Sequence, residues 1–238
     1  MTVRADQIIA GTILNIAAFG VTGYLNRLVI NPSGRGGAGV IPSFALPDSV
    51  TTLPVVGPVI AMFFEQGPIA MSVLFIVIGL QVLFFSRWGL RTRAVGEHPR
   101  AADTVGIDVF GLRYRNVIAG CALAGLAGAY LTLESTGSFQ NGMTGGRGFI
   151  ALAAMIFGRW TPIGAFGGAL LFGTITALGV MVNVRPPDGD LGTVMRSVPS
   201  LWYAALPYLV TIIILAGFVG RSRPPGADGI PYVKEGPA

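Results

Sequence analysis

Long stretches of this chain carry almost nothing but apolar and small residues, and each is close to the length that crosses a lipid bilayer. About 20 consecutive apolar residues bridge a hydrocarbon core of roughly 30 Å. Runs of that order fall near 8–29, 68–86, 116–133, 163–182 and 200–219. Only 11% of the 238 residues are charged and 52% are hydrophobic, far from the roughly 25% charged residues of soluble domains. The pattern predicts an all-α fold, a polytopic membrane helical bundle.

A further apolar run at 146–158 is only about a dozen residues and is bracketed by glycines. It reads as a short or broken helix enclosed by protein, because irregular backbone exposed to hydrocarbon would leave polar groups unsatisfied. Counted as a crossing, it gives six spans.

Orientation follows from the segment 87–115, where Arg87, Arg91, Arg93, Arg100, Arg113 and Arg115 face only Glu97, Asp103 and Asp108. Arginine-rich short loops stay on the cytoplasmic side. This places 87–115 inside and the Pro- and Gly-rich 31–67 outside, with both termini cytoplasmic. Within the external loop, 54–64 is apolar but too short to cross, and suits either the interface or a partial dip into the membrane. The transmembrane region then covers 1–223, and 224–238, which has no periodicity, reads as a solvated cytoplasmic tail.

Small residues recur at every fourth position at Gly120, Ala124 and Gly128, and again at Ala165, Ala169 and Gly173. Such stripes allow close helix contact in lipid and are read as packing seams.

Several functions are set aside by what the residues can do. The net charge of +5 and the isoelectric point near 9.9 come from bases at span ends, not from one soluble face, so nucleic acid is not a partner. Cys121 is the single cysteine, so neither an internal disulfide nor a thiolate metal site can form. Gly34, Gly36 and Gly39 spell G-x-G-x-x-G but follow no strand and lead into Val40, Ile41 and Pro42, which describes a loop. No phosphate-binding G-x-x-x-x-G-K-[ST] occurs, and the only lysine is Lys234.

No Asp, Glu, Lys or Arg sits near the middle of a span. A stand-alone secondary carrier or proton pump usually needs such a group to bind the driving ion. A transporter built this way draws its energy from another polypeptide.

Within the arginine segment, Pro99 suits the first position of a helix and Gly106 the position just past its end. About two turns are not stable alone in water. This helix must dock, either into a partner's groove through Ala101, Ala102 and Val105 or onto the bilayer surface, and Arg100 and Asp103 are spaced to pair. His98 reads as a loop residue without chemistry.

The segment LRTRAVGEHPRAADTVGIDV, together with RADQIIAGTILNIAAFG, GLAGAYL, MTGGRGFIALAAMIFGRW, LPYLVT and GIPYVKEG, resembles permease subunits of bacterial ABC importers of the nucleoside and simple-sugar type. The likeness covers nearly the whole chain, and its relatives work with a basic-membrane-protein-like lipoprotein. It implies a cytoplasmic-membrane subunit that carries no cofactor itself, with ATP and Mg bound on a partner ATPase. It also implies a second homologous permease chain forming a heterodimer, an extracytoplasmic binding lipoprotein, and surrounding membrane lipids. By this likeness Gly96, Glu97, Pro99, Ala101, Ala102, Asp103 and Gly106 form a coupling helix that the ATPase moves. Nucleosides are the implied substrate, with ribose-like sugars as the alternative.

The family usually carries further spans before the ADQIIAGT block, whereas this chain begins almost at it. A truncated start, and with it a non-transporting subunit, is therefore a competing expectation. The glycine-rich loop near Gly34 to Gly39 is also longer than the family pattern implies.

A nucleoside path needs neutral hydrogen-bonding groups and aromatic faces. Asn15 and Phe19, one turn apart in the first span, are path candidates, the alternative for Asn15 being a hydrogen bond between helices. Phe139, Asn141, Thr144 and Arg147 in FQNGMTGGRGF form either an outer mouth or a sharp turn. Gln81 is a candidate of the same kind in the second span. None of these is a catalytic residue.

Overall fold

The computed structural model describes residues 7–30, 39–43, 67–184, 199, 201–202, 205, 209, 212 and 222–234. The interfacial stretch 54–64, most of the last run at 200–219, and Gly34 and Gly36 lie outside the described residues. Two compact units divide the chain: Met1–Gly145 with Pro225–Ala238, and Gly146–Pro224.

In the first unit, α1 (Gln7–Leu25) continues into a π-helical turn, Asn26–Ile30. It is followed by α2 (Pro68–Phe85), α3 (Arg87–Glu97), α4 (Pro99–Thr104) and α5 (Val109–Ala129), and α5 widens into a second π-helical stretch, Tyr130–Ser135. The second unit holds α6 (Arg147–Phe157) and α7 (Pro162–Val184).

Among the described residues, four helical stretches are long and apolar enough to cross a membrane: Ile9–Ile30, Pro68–Phe85, Val109–Ser135 and Pro162–Val182. They coincide with four of the runs read from the sequence. The third begins at Val109, ahead of residue 116, because Asp108 caps it there: its carboxylate accepts the Gly111 N–H at 3.0 Å. The apolar signal starts only after Arg113 and Arg115. Helix α6 has 11 residues, about 16 Å at 1.5 Å per residue, and is the short helix expected from the sequence.

Sharp corners connect the elements. Pro68 opens α2, where a missing N–H leaves no helical bond unmade. Ser86 ends α2 and caps α3, accepting the Gly89 N–H at 3.4 Å. A side chain at Gly89 would collide with the Leu83 and Phe84 carbonyls, so the corner requires glycine. Across it, the Arg93 guanidinium lies 4.4 Å from the Phe84 ring centre.

In the second unit, α6 and α7 form a close antiparallel hairpin. Arg159 and Trp160 turn the chain with φ of 53° and 59°, a left-handed conformation uncommon outside glycine. Thr161 caps α7 by accepting the Gly164 N–H at 3.2 Å. Gly158 meets the backbone of Gly164 and Ala165, Gly168 lies against Ala154, and Phe157 stacks near Phe172 at 5.5 Å. The seam therefore runs through Gly164 and Gly168. Ala165, of the stripe read from the sequence, meets Gly158, whereas Ala169 and Gly173 are exposed in the chain. On α5, Gly120, Ala124 and Gly128 are exposed in the chain, and Gly120 and Gly128 meet nothing nearby.

Candidate functional site

Helices α3, α4 and α5 build an arginine-rich elbow around a small core of Val95, Ala102, Val109 and Leu112, with Ile107 and Phe110 packed against it. Asn116 donates to the Thr92 hydroxyl at 3.1 Å, tying α5 to α3. Pro99 opens α4, as its fixed φ favours. The helix closes where the Gly106 N–H reaches the Asp103 carbonyl at 2.9 Å, and Gly106 adopts φ +83°.

The core decides which face of α4 is open. Ala102 is buried inward, so it does not share an apolar docking face with Ala101 and Val105. The open face carries Arg100, Ala101, Thr104 and Val105, the last 75% exposed. The Gly96 carbonyl accepts the Ala227 N–H at 2.9 Å, the Glu97 carboxylate accepts the Gly226 N–H at 3.1 Å, and Asp103 pairs with Lys234 at 3.5 Å.

The segment 225–234 is thus not a solvated extension. Tyr232 is 7% exposed and packs on Phe110 at 5.4 Å in the elbow core. A cleft of about 230 Å³, lined by Gln7, Gly96, Arg113, Pro225 and Asp228 among others, brings the start of α1 to the same junction.

At the other ends of these helices a second polar cluster forms. The buried Asn26, in the π-helical turn, donates through Nδ2 to the Asn141 Oδ1 at 3.1 Å. Its own Oδ1 is buried and unpartnered among the described residues. Phe19 lies beside Gly142, and Gly23 beside the Asn141 amide. The Glu134 carboxylate accepts the amide hydrogens of Ile69 and Ala70 at 2.5 and 2.9 Å, closing the first turn of α2. The Ile41 N–H reaches the Leu133 carbonyl at 2.9 Å. Both π-helical stretches border this cluster, and such turns often occur at functional sites.

Of the path candidates, the structure brings Phe19 and Asn141 together at this cluster. Asn15 is exposed on α1, and Gln81 lies on α2 with its Oε1 buried and unpartnered among the described residues. Phe139 and Thr144 lie in the irregular stretch before α6, and Arg147 is the exposed first residue of α6. Asn26 and Glu134 escaped the sequence reading. Their one signal was a polar side chain in the last turn of an apolar run, beside Arg27 in one case. Among the described residues no group of three or more His, Cys, Asp and Glu side chains could hold a metal ion.

Apolar helices with open flanks, a short helix held on a charged elbow, and polar clusters confined to helix ends define a multi-pass helical membrane protein. Residues 1–215 match the pattern described as branched-chain amino acid transport system / permease component, and the chain belongs to that permease family. It is 36% identical over 236 residues to the guanosine ABC transporter permease protein NupQ of Bacillus subtilis, covering 97% of this chain and 70% of that one. It is 37% identical over 241 residues to the nucleoside ABC transporter permease protein NupC of Lactococcus lactis, covering 98% and 71%. A putative glucose ABC transporter permease, TsgC13 of Haloferax volcanii, is 32% identical over 94% of this chain and 70% of its own length. No solved structure matches the chain. Permease subunits of this kind are not themselves enzymes.

Proposed function

We propose that this chain is a transmembrane subunit of an ATP-driven importer that moves nucleosides across the bacterial cytoplasmic membrane. ATP, with Mg, is hydrolysed on a separate ATPase subunit. A second permease chain completes the pathway as a heterodimer, and an extracytoplasmic lipoprotein delivers substrate. The arginine elbow and both termini face the cytoplasm, in keeping with the side on which arginine-rich loops are retained.

The observation that carries this reading is α4. Six residues cannot hold a helix in water, yet this one is fixed on a core by Ala102 while Arg100, Ala101, Thr104 and Val105 remain open. An open face on a braced lever is what a moving partner requires. The coupling set is then Gly96, Glu97, Pro99, Ala101, Asp103 and Gly106 on the lever and its joints, with Ala102 as its anchor. Phe19, Asn26 and Asn141 line the external mouth, and a nucleoside's neutral hydroxyls and ring nitrogens match amide groups there.

The test is uptake of labelled nucleosides by vesicles holding the full assembly. Uptake that needs ATP on the elbow side and the binding lipoprotein on the other supports the proposal. Uptake that survives loss of the ATPase and collapses with the ion gradient overturns it. The identity shared with the putative glucose permease favours a simple sugar as the second reading, and competition by ribose but not by nucleosides would select it.

A further inference from the structure

The segment 225–234 touches every helix of the elbow. It meets α3 twice, through the Ala227 N–H on the Gly96 carbonyl and the Gly226 N–H on the Glu97 carboxylate. It meets α4 through Lys234 on Asp103 at 3.5 Å. It meets α5 twice, where Arg113 donates to the Ile230 carbonyl at 3.3 Å and where the Tyr232 ring lies 5.4 Å from Phe110. A turn at Asp228 and Gly229, the latter at φ +73°, sends the chain back so that these contacts fall on different helices.

The contacts are unequal. Lys234 is 65% exposed, and an exposed ion pair contributes little. Tyr232 is the largest side chain in the core that holds α4, and its neighbours there are Val95, Ala102, Val109 and Leu112. Remove the ring and the cluster that buries Ala102 loses its largest member, together with the contact on Phe110. A six-residue helix has no reserve of its own with which to keep its place.

We propose that 225–234 is a strut, with Tyr232 as its positioning residue. It fixes α4 against α3 and α5, so that displacement of α4 moves the spans α2 and α5 and is not lost in bending the elbow. This rests on the proposed importer function. It adds to it a part of the chain, far in sequence from the lever, on which the efficiency of coupling depends.

Two measurements test it. In the full-length chain in lipid nanodiscs, Tyr232→Ala should speed amide hydrogen exchange across 100–106 by about tenfold or more, while exchange across 162–182 stays unchanged. Tyr232→Phe, which keeps the ring, should stay far closer to the wild type than Tyr232→Ala. In vesicles holding the full assembly, Tyr232→Ala and a chain ending at Pro224 should hydrolyse ATP but move about fivefold less nucleoside per ATP. Unchanged exchange at 100–106 overturns the strut, as does an unchanged transport-to-hydrolysis ratio. The exchange measurement needs no partner, so a wild-type assembly that fails to couple ATP to uptake sinks the importer reading and leaves the strut to stand or fall by exchange alone.

Discussion

Glu134 closes the amino end of a helix that lies 64 residues away in sequence, its carboxylate accepting the Ala70 N–H at 2.9 Å. The Ile69 N–H takes the other oxygen. The first amides of a helix have no partner within it, and the helix dipole favours a negative group there. A residue that looks like a stray charge at the end of one span is therefore the cap of another, joining α2 to the π-helical end of α5.

Glu134→Ala is expected to lower the stability of the detergent-solubilised chain by about 1–2 kcal/mol, since two orphan amides and a favourable dipole contact are lost together. Glu134→Gln keeps one acceptor oxygen and should lose about half as much. Thermal unfolding of the two variants gives the ranking. An alanine variant as stable as the wild type would show that the amides find water instead.

Gly67 must lack a side chain for this cap to form, because a Cβ there would lie 2.8 Å from the Glu134 Cγ and closer still to its carboxylate. Gly67→Ala should destabilise by about 1–3 kcal/mol. In a Glu134→Ala background the same change should do much less, with a coupling of about 1 kcal/mol or more between the two sites. A double-mutant cycle on unfolding measures it, and additive effects would contradict the contact.

Helix existence was legible because it depends on local composition: four apolar runs became long helices, the glycine-bracketed run became α6, and Pro99 and Gly106 bounded α4 as their backbone preferences require. What depended on distant partners was not legible. Nothing in AADTV says that Ala102 faces a core and Ala101 does not, since a helix this short carries too few residues to display a face. Tyr232 sits in a Pro- and Gly-rich stretch whose composition resembles a solvated tail, and only its burial on Phe110 reveals otherwise. The seam that α7 presents to α6 runs through Gly164, Ala165 and Gly168, and the four-residue spacing of Ala165, Ala169 and Gly173 picks out only Ala165 among these contacts, because spacing gives a stripe but not its partner.

The two amides at the second polar cluster are unequal, and their variants should be too. Asn26 is 6% exposed while Asn141 is open to solvent. Asn141→Ala strands a buried amide with neither end paired and should cost about 1–3 kcal/mol, whereas Asn26→Leu removes the buried polar group altogether and should stay within about 1 kcal/mol. Nucleoside uptake separates structure from pathway. If Asn26→Leu folds normally yet uptake changes in rate or preference, the mouth assignment holds, and unchanged uptake in both variants removes it. Asn15→Ala provides the same check one turn before Phe19.

Adjacent alanines of α4 distinguish the lever's two faces. With Cys121 replaced, Ala101→Cys should react with a membrane-impermeant thiol reagent from the cytoplasmic side and crosslink to the ATPase subunit, because Ala101 is exposed. Ala102→Cys, buried in the elbow core, should react at least about tenfold more slowly, since reaction there requires local opening. Equal reaction at both positions would mean that the elbow core does not persist, and labelling of Ala101→Cys only from outside would reverse the orientation.

Neighbouring glycines of α7 make the sharpest packing test. A Cβ at Gly168 would lie 2.8 Å from the Ala154 carbonyl oxygen, whereas one at Gly167 meets nothing within 4 Å. Both positions are helical, so both alanine variants gain the same roughly 1 kcal/mol of helix propensity, and their difference reports packing alone. Gly167→Ala should be neutral or mildly stabilising. Gly168→Ala should be destabilising by about 1–3 kcal/mol, because neither backbone can yield without parting α6 from α7. Unfolding of the two variants in the same detergent compares them directly. If Gly168→Ala proves as stable as Gly167→Ala, then α6 does not lie against α7 through Ala154, and the short helix must find its support elsewhere.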